Sequence, residues 1–80
     1  MDNLLERITV DKHILDGKPS IRGKRISVQT ILEFLSAGET HDEILRQYPS
    51  IEEKDIEACL KFAAKISGLQ YTIQSITENA

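Results

Sequence analysis

The sequence has few of the residues that usually stabilise a small domain. It contains no tryptophan, 5% aromatic residues and a single cysteine, Cys59. One cysteine excludes an intramolecular disulfide and is typical of a protein from a reducing compartment. A domain of this size also buries only roughly 60–65% of the surface of its unfolded chain. We therefore expect a mainly aliphatic core with a thin margin of stability.

Long hydrophobic runs are also missing. No N-terminal apolar stretch resembles a signal peptide, and no segment is apolar over the length of a membrane span. The remaining composition, 40% hydrophobic and 29% charged residues, is that of a globular protein rather than a disordered one. The sequence predicts a single domain, residues 1–80, in the cytoplasm, with no membrane partner.

Charge is distributed unevenly along the chain. The net charge is −3, yet the stretch "GKPSIRGKRISV", residues 17–28, carries four cations and no acid, so the rest of the chain carries −7. The four cations are Lys18, Arg22, Lys24 and Arg25. The net charge of the whole chain therefore does not predict its binding partners, and each segment has to be considered by its own charge.

Hydrophobic spacing divides the chain into an arm and three helices. Residues 8–27 contain short β-branched pieces and turn glycines, which predict two or three short strands or extended pieces. Apolar residues then recur at i, i+3, i+4 and i+7 from Val28, which predicts a first helix over about Val28–Ala37 with Gly38 as its C′ residue. After it, Thr40 and Glu43 form the pattern of a capping box that starts a short second helix.

The third helix is predicted from the spacing of its apolar residues. They are Ile56, Cys59, Leu60, Ala63 and Ile66. Its start is ambiguous, because Ser50 with Glu53 and Glu52 with Asp55 both have capping spacing, and Gly68 is the predicted terminator. Beyond it, residues 69–76 alternate apolar and polar side chains, which indicates a possible strand.

These elements together predict a mainly α fold. Its centre is a three-helix bundle over residues 28–67 with a tight helix-turn-helix connection, preceded by the arm, residues 8–27. The small core and the alternating tail also predict a homodimer. Fold alone does not establish function.

Several short motifs resemble domain of unknown function family 433. They are "GKPSIRGKRISV", Leu35 with Gly38, "EIL" at 43–45, "YP" at 48–49, "DI" at 55–56 and "FAA" at 62–64. The resemblance covers about residues 8–66 and implies a homeodomain-like three-helix bundle. It also implies an antitoxin-like partner of a PIN-like nuclease encoded alongside. The chain departs from the family pattern at Lys24, Ile51 and Glu52, and Glu52 places an additional acid at the start of the third helix.

No catalytic, metal or cofactor site is expected. Gly17 and Gly23 are separated by five residues rather than the four of a phosphate-binding loop, and Arg25 stands where that loop has its hydroxyl. Asp11, His13 and Asp16 lack the further His or Cys of a zinc site.

Other conspicuous side chains are expected to be structural. His41 is predicted to be partly buried and neutral, and Cys59 is expected in the core. For Arg25 we expect a structural role, in which its planar guanidinium binds a carboxylate or carbonyls at the junction with the first helix.

Two functions from different classes remain. An antitoxin-like protein could cover a nuclease groove with the acids Glu52, Glu53, Asp55 and Glu57, or insert cations among the nuclease's acids. A helix-turn-helix regulator would instead bind operator DNA, although "EEKDIE" at the start of the third helix offers Lys54 as its only cation. The candidate binding residues are Lys18, Arg22, Lys24, Arg25, Glu53, Lys54 and Glu57.

Overall fold

A computed structural model describes residues 3–68 and contains three helices and a two-stranded sheet. The strands are β1, Ile8–Thr9, and β2, Ser20–Ile21, and the helices are α1, Val28–Ser36, α2, His41–Gln47, and α3, Glu53–Ser67. Single 3-10 turns occupy Leu4–Arg7 and Leu15–Gly17. The predicted mainly α class with short N-terminal strands is confirmed, whereas the possible strand over 69–76 lies outside the described residues.

The arm is an antiparallel ribbon that reverses at glycines. Ile8 pairs with Ile21 and Thr9 with Ser20. Gly17 and Gly23 have φ values of +84° and +73°, in the left-handed region that glycine adopts without steric cost. These two positions confirm the predicted chain reversals.

The first helix begins and ends with local caps. Ser27 is its N-cap and accepts a hydrogen bond from the Thr30 amide at 3.0 Å. Gly38, with φ of +94°, follows the last turn, and the Glu39 amide bonds back to the Phe34 carbonyl at 3.1 Å. The predicted bounds of this helix are therefore confirmed to within one residue.

The second helix starts with the predicted capping box. The Thr40 hydroxyl accepts from the Glu43 amide at 3.1 Å, and the Glu43 carboxylate accepts from the Thr40 amide at 2.7 Å. These bonds hold the pKa of Glu43 below its ordinary value, with the bond from the Thr40 backbone as the largest cause.

The third helix uses the later of its two predicted starts. Glu52 occupies the N-cap position, and its amide donates to Asp55 Oδ2 at 2.8 Å. Gly68 follows the last helical residue, but its φ of −87° is right-handed. The end of α3 therefore differs from the left-handed turn at Gly38.

The core is aliphatic, as predicted. Its buried members are Ile21, Val28, Ile31, Ile44, Ile51, Ile56 and Cys59. Partly buried Phe34 and Tyr48 pack against this cluster, with ring centroids 6.0 Å apart. No helix within residues 3–68 has the length and apolar character needed to cross a membrane.

Two apolar residues whose spacing predicted α3 are exposed. Leu60 is 44% exposed and Ile66 is 48% exposed. The buried stripe instead runs through Asp55 and Cys59, and Leu60 is displaced from it by the roughly 100° that one helical residue turns. The spacing thus identified the helix, although two of its apolar residues lie outside the core.

Loss of the α2 cap should destabilise the domain. Thr40→Ala leaves the Glu43 amide without its acceptor and is expected to lower the free energy of unfolding by about 1 kcal/mol. Denaturant midpoints measure the change. Thr40→Ser keeps an accepting hydroxyl and should retain most of the stability, so an equal loss in both variants would contradict the capping role.

Candidate functional site

A buried carboxylate joins the arm to the start of α3. The Asp55 side chain is completely inaccessible to solvent. Arg22 donates to both of its oxygens, from Nε to Oδ1 at 3.0 Å and from Nη2 to Oδ2 at 2.9 Å. Arg7 donates from Nη1 to Oδ1 at 3.0 Å. We call Asp55, Arg7, Arg22 and Glu52 the arginine clamp.

The short sheet positions the two arginines. Because Ile8 is opposite Ile21, Arg7 and Arg22 flank the same end of the ribbon, and the Arg22 amide donates to the Arg7 carbonyl at 2.8 Å. Arg22 itself has φ of +48°, a left-handed conformation that is uncommon outside glycine. The turn after β2 thus directs this side chain towards α3.

The remaining bonds complete the charge balance. Arg7 Nη1 also donates to Glu52 Oε1 at 2.9 Å, and Arg22 Nη2 donates to the Ser50 carbonyl at 3.2 Å. Two guanidinium groups therefore face two carboxylates. A buried carboxylate needs such pairing, because an unpaired buried charge is strongly destabilising.

Burial and pairing act on the pKa of Asp55 in opposite directions. Burial would raise it, but the hydrogen bonds from Arg22, the Glu52 amide and Arg7 outweigh that effect, so the pKa lies below its ordinary value. The hydrogen bond to Asp55 likewise raises the pKa of the Arg22 guanidinium. Both groups stay charged across the neutral range.

The structural arginine of the basic stretch is Arg22, and the expectation for Arg25 was wrong. Arg25 is exposed and forms no side-chain hydrogen bond or ion pair with another residue of the described part. The pairing partner of Arg22 lies 33 residues away, so local motif logic could not identify it. Asp55 was the one signal in the sequence for this pairing. It lies four residues before Cys59, so it shares the apolar face of the helix, and an acid on that face requires a cation.

Three cations of the basic stretch, residues 17–28, stay outside the clamp. The side chains of Lys18, Lys24 and Arg25 have no hydrogen-bonding or ionic partner within residues 3–68. Lys18 and Arg25 line one shallow cavity of about 250 Å³ beside the N-terminus of α1, together with Asp16. We call Lys18, Lys24 and Arg25 the free cations.

The predicted acidic patch is smaller than expected. Asp55 is buried in the clamp, so it cannot contribute to a surface, and Glu52 pairs with Arg7. Glu53 Oε2 is within hydrogen-bond distance of His41 Nδ1, and the predicted partial burial of that ring is confirmed at 38% exposure. Glu57 is half-buried.

Two side chains stay available at the surface of α3. Glu57 has no bonded partner among the described residues, and Lys54, three residues earlier, is exposed. With Glu53, they are the parts of the predicted site that remain on the outside of this helix.

Chemistry that would indicate an enzyme is not evident in the described part. Burial, with a smaller effect from Asp55, raises the pKa of the Cys59 thiol to about 12, so this cysteine is a poor nucleophile. Residues 3–68 contain no group of three or more His, Cys, Asp or Glu side chains arranged to hold a metal ion.

A family model described as "Protein of unknown function (DUF433)" matches residues 8–63. The chain belongs to this family. The resemblance noted from the sequence motifs is thereby confirmed. Neither the curated proteins nor the solved structures contain a match to the chain.

The DUF433 match includes most of the arginine clamp. Arg22 and Asp55 lie inside it, as do the free cations, whereas Arg7 lies one residue before it and Ile66 lies three residues after it. The arm and the start of α3, which the clamp connects, thus both belong to the DUF433 region.

Removing the buried charge should reveal the contribution of the clamp. Asp55→Asn is isosteric but leaves two guanidinium groups without their carboxylate. We expect a loss of about 2–3 kcal/mol at pH 7, at the low end for a broken buried pair because Arg22 is 34% exposed. Glu57→Gln, an acid of the same helix without a bonded partner, should change stability by less than about 0.5 kcal/mol.

The difference in stability between wild type and Asp55→Asn should depend on pH in a defined direction. Because folding lowers the pKa of Asp55, its contribution is fully present above the unfolded value of about 4 and is lost as pH falls through the lower folded value. Denaturant midpoints from pH 7 to pH 2 should therefore converge for wild type and Asp55→Asn at the acidic end. A difference that is independent of pH would contradict the ionic role.

Proposed function

We propose that this DUF433 protein is an antitoxin-like module that binds and neutralises a PIN-like nuclease. The class of partner comes from the family resemblance. The single observation that carries the proposal is the set of free cations, with Lys18 and Arg25 exposed and Lys24 half-buried, in a basic stretch whose fourth cation is engaged in the clamp. Together they are a concentrated positive surface on an otherwise acidic protein.

The arginine clamp supports a binding role because it holds the arm in place. Bonds from Arg22 and Arg7 to Asp55 connect the ribbon to α3. A segment that is ordered before association loses less conformational entropy on binding. The free cations are thus presented from a preorganised support, which suits insertion among the metal-binding acids of a nuclease site.

The surface of α3 offers a second contact of opposite sign. Glu53 and Glu57 remain outside the clamp, and acids of this kind complement the basic groove in which a nuclease holds its substrate. Contacts of both signs would favour one orientation of the partner.

DNA binding is the second candidate function. Five residues, 48–52, connect α2 to α3, which agrees with a helix-turn-helix, and the homeodomain-like arrangement belongs to this proposal. The start of α3 nevertheless presents Glu52 and Glu53 beside Lys54, and phosphates repel carboxylates. Operator contacts would therefore depend on the free cations, as an activity by which the protein regulates its own operon.

Removal of the free cations separates the two functions. Lys18→Ala, Lys24→Ala and Arg25→Ala combined should weaken binding to the proposed PIN-like nuclease partner by at least roughly tenfold, with loss of neutralisation. Calorimetric titration and a nuclease assay measure these effects. The matched control removes the same charge from α2 and α3, through Arg46→Ala, Lys61→Ala and Lys65→Ala, three exposed cations outside the predicted site, and should retain neutralisation.

The same variant distinguishes a DNA-binding role. A triple variant that still neutralises the nuclease but loses operator affinity, with the log–log salt slope falling by about 0.9 per lost phosphate contact, would reverse the ranking. Arg22 is kept in every variant, because its removal would break the clamp and weaken either function.

The acidic contact has its own test. Glu53→Lys and Glu57→Lys combined should weaken nuclease binding by roughly tenfold through repulsion from a basic groove. His41→Ala controls for the lost Glu53 contact and should leave binding unchanged. Unaltered affinity of the charge-reversed variant would remove α3 from the interface.

A further inference from the structure

Two of the free cations share a concave site where the arm meets α1. The site is the shallow cavity of about 250 Å³, and its lining residues are Leu15, Asp16, Lys18, Arg25, Ser27 and Thr30. We call it the cation cavity. Lys24, the third free cation, does not line it. The free cations therefore divide into two that can bind one group together and one that stands apart.

The charged residues of the cation cavity are not paired with one another. Lys18, Arg25 and Asp16 are exposed and have no hydrogen-bonding or ionic partner within residues 3–68. Two cations that line one cavity repel each other, and an anion placed between them replaces that repulsion with attraction. Two cations and one acid leave the cavity with a net charge of +1, which suits a group with a single negative charge.

The cation cavity also contains an unused hydroxyl donor. Ser27 Oγ accepts from the Thr30 amide at 3.0 Å and lies 2.9 Å from Thr30 Oγ1. Only one of the two hydroxyl hydrogens can lie between these oxygens, and the other has no acceptor among the described residues. An anion bound in the cavity can accept it.

The backbone on one side of the cavity has an uncommon conformation. Leu15, Asp16 and Gly17 have φ values of +52°, +56° and +84°, so three successive residues are left-handed, which is unfavourable outside glycine. The Gly17 amide donates to the Ile14 carbonyl and the Lys18 amide to the Leu15 carbonyl, both at 3.1 Å. This closed turn brings Asp16 and Lys18 to the same cavity, so their charges are in place before a ligand binds.

We propose that the cation cavity binds one carboxylate of the protein partner, with Arg25 and Lys18 as its cations. The planar guanidinium of Arg25 matches the two oxygens of a carboxylate, and the Lys18 ammonium and the unused hydroxyl supply further donors. The identity of the partner rests on the proposed function, whereas the group that is bound and the two cations that bind it follow from the cavity.

A phosphodiester carries the same single charge but fits this cavity less well. Phosphates of a nucleic acid are joined in series, so the neighbours of a bound phosphate would come close to Asp16 and to Glu33, which lies one helical turn beyond Thr30 on α1. A carboxylate on a partner's side chain brings one charge alone. Asp16 therefore acts as a specificity residue, which admits a single anion and repels a polyanion.

The first experiment compares single variants in calorimetric titrations with the proposed nuclease. Lys18→Ala and Arg25→Ala should each weaken binding by at least roughly fivefold. Lys24→Ala is the matched control, because it removes the same charge from the same stretch outside the cavity, and should weaken binding by less than about twofold. Asp16→Asn should strengthen binding about threefold, since it removes the one repelling acid.

The second experiment uses the full chain without a partner and sodium acetate as the probe. Acetate replaces chloride at constant ionic strength, and the amide signals of Ser27 and Thr30 are followed by nuclear magnetic resonance. Their shifts should saturate with a dissociation constant of roughly 10–100 mM. Saturation should be lost in Lys18→Ala and Arg25→Ala and retained in Lys24→Ala, with unchanged circular dichroism as the check that each variant is folded.

The outcomes separate this site from the proposed function. Acetate shifts that do not saturate, or that survive Lys18→Ala and Arg25→Ala, would overturn the cavity as a carboxylate site. Equal losses of nuclease binding in Lys24→Ala and Arg25→Ala would also overturn it, while leaving the nuclease as partner. Unaltered neutralisation by the variant without free cations would instead overturn the proposed function. Loss of operator affinity in Arg25→Ala, with nuclease binding unchanged, would assign the cavity to phosphate and overturn the choice of carboxylate.

Discussion

The structure depends on satisfying one buried negative charge. Asp55 faces the core from the first turn of α3, where the helix dipole favours an acid but solvent is excluded. Its two oxygens accept bonds from Arg22, Arg7 and the Glu52 amide. Since those arginines flank β1 and β2, the charge can be satisfied only when the ribbon has formed in its observed register against α3.

The arginine clamp contributes more to selecting one strand register than to the net free energy of folding. Replacing a buried ion pair with apolar groups is often neutral or stabilising, so the clamp adds less to the net free energy of folding than its short bonds suggest. Its effect is selective, because a shift of β1 against β2 by one residue would move Arg7 away from Arg22 and reverse the face of each side chain. Because the ribbon has two residues per strand and few backbone bonds, the clamp fixes the register of β1 against β2.

The sequence predicts the features that depend on residues close together in the chain better than those that depend on distant residues. The caps at Thr40 and Gly38 depend on residues three to five positions apart, so α1 and the start of α2 were predicted almost to the residue. The choice between Arg22 and Arg25 depended on Asp55, more than thirty residues away. Hydrophobic spacing likewise identified the helical face of Ile66 but could not show whether another element covers it.

The clamp also changes how the basic stretch should be interpreted. One of its four cations is neutralised internally, so the stretch itself contributes three positive charges to the local field. Folding and binding thereby depend on different cations of the same short segment. A change at Arg22 alters the position of the arm and affects every partner alike, whereas a change at Lys18, Lys24 or Arg25 alters the surface while the clamp stays intact. Changes at the free cations, unlike those at Arg22, can therefore distinguish a nuclease partner from DNA. The acidic remainder of the chain favours the protein partner because it would repel a polyanion.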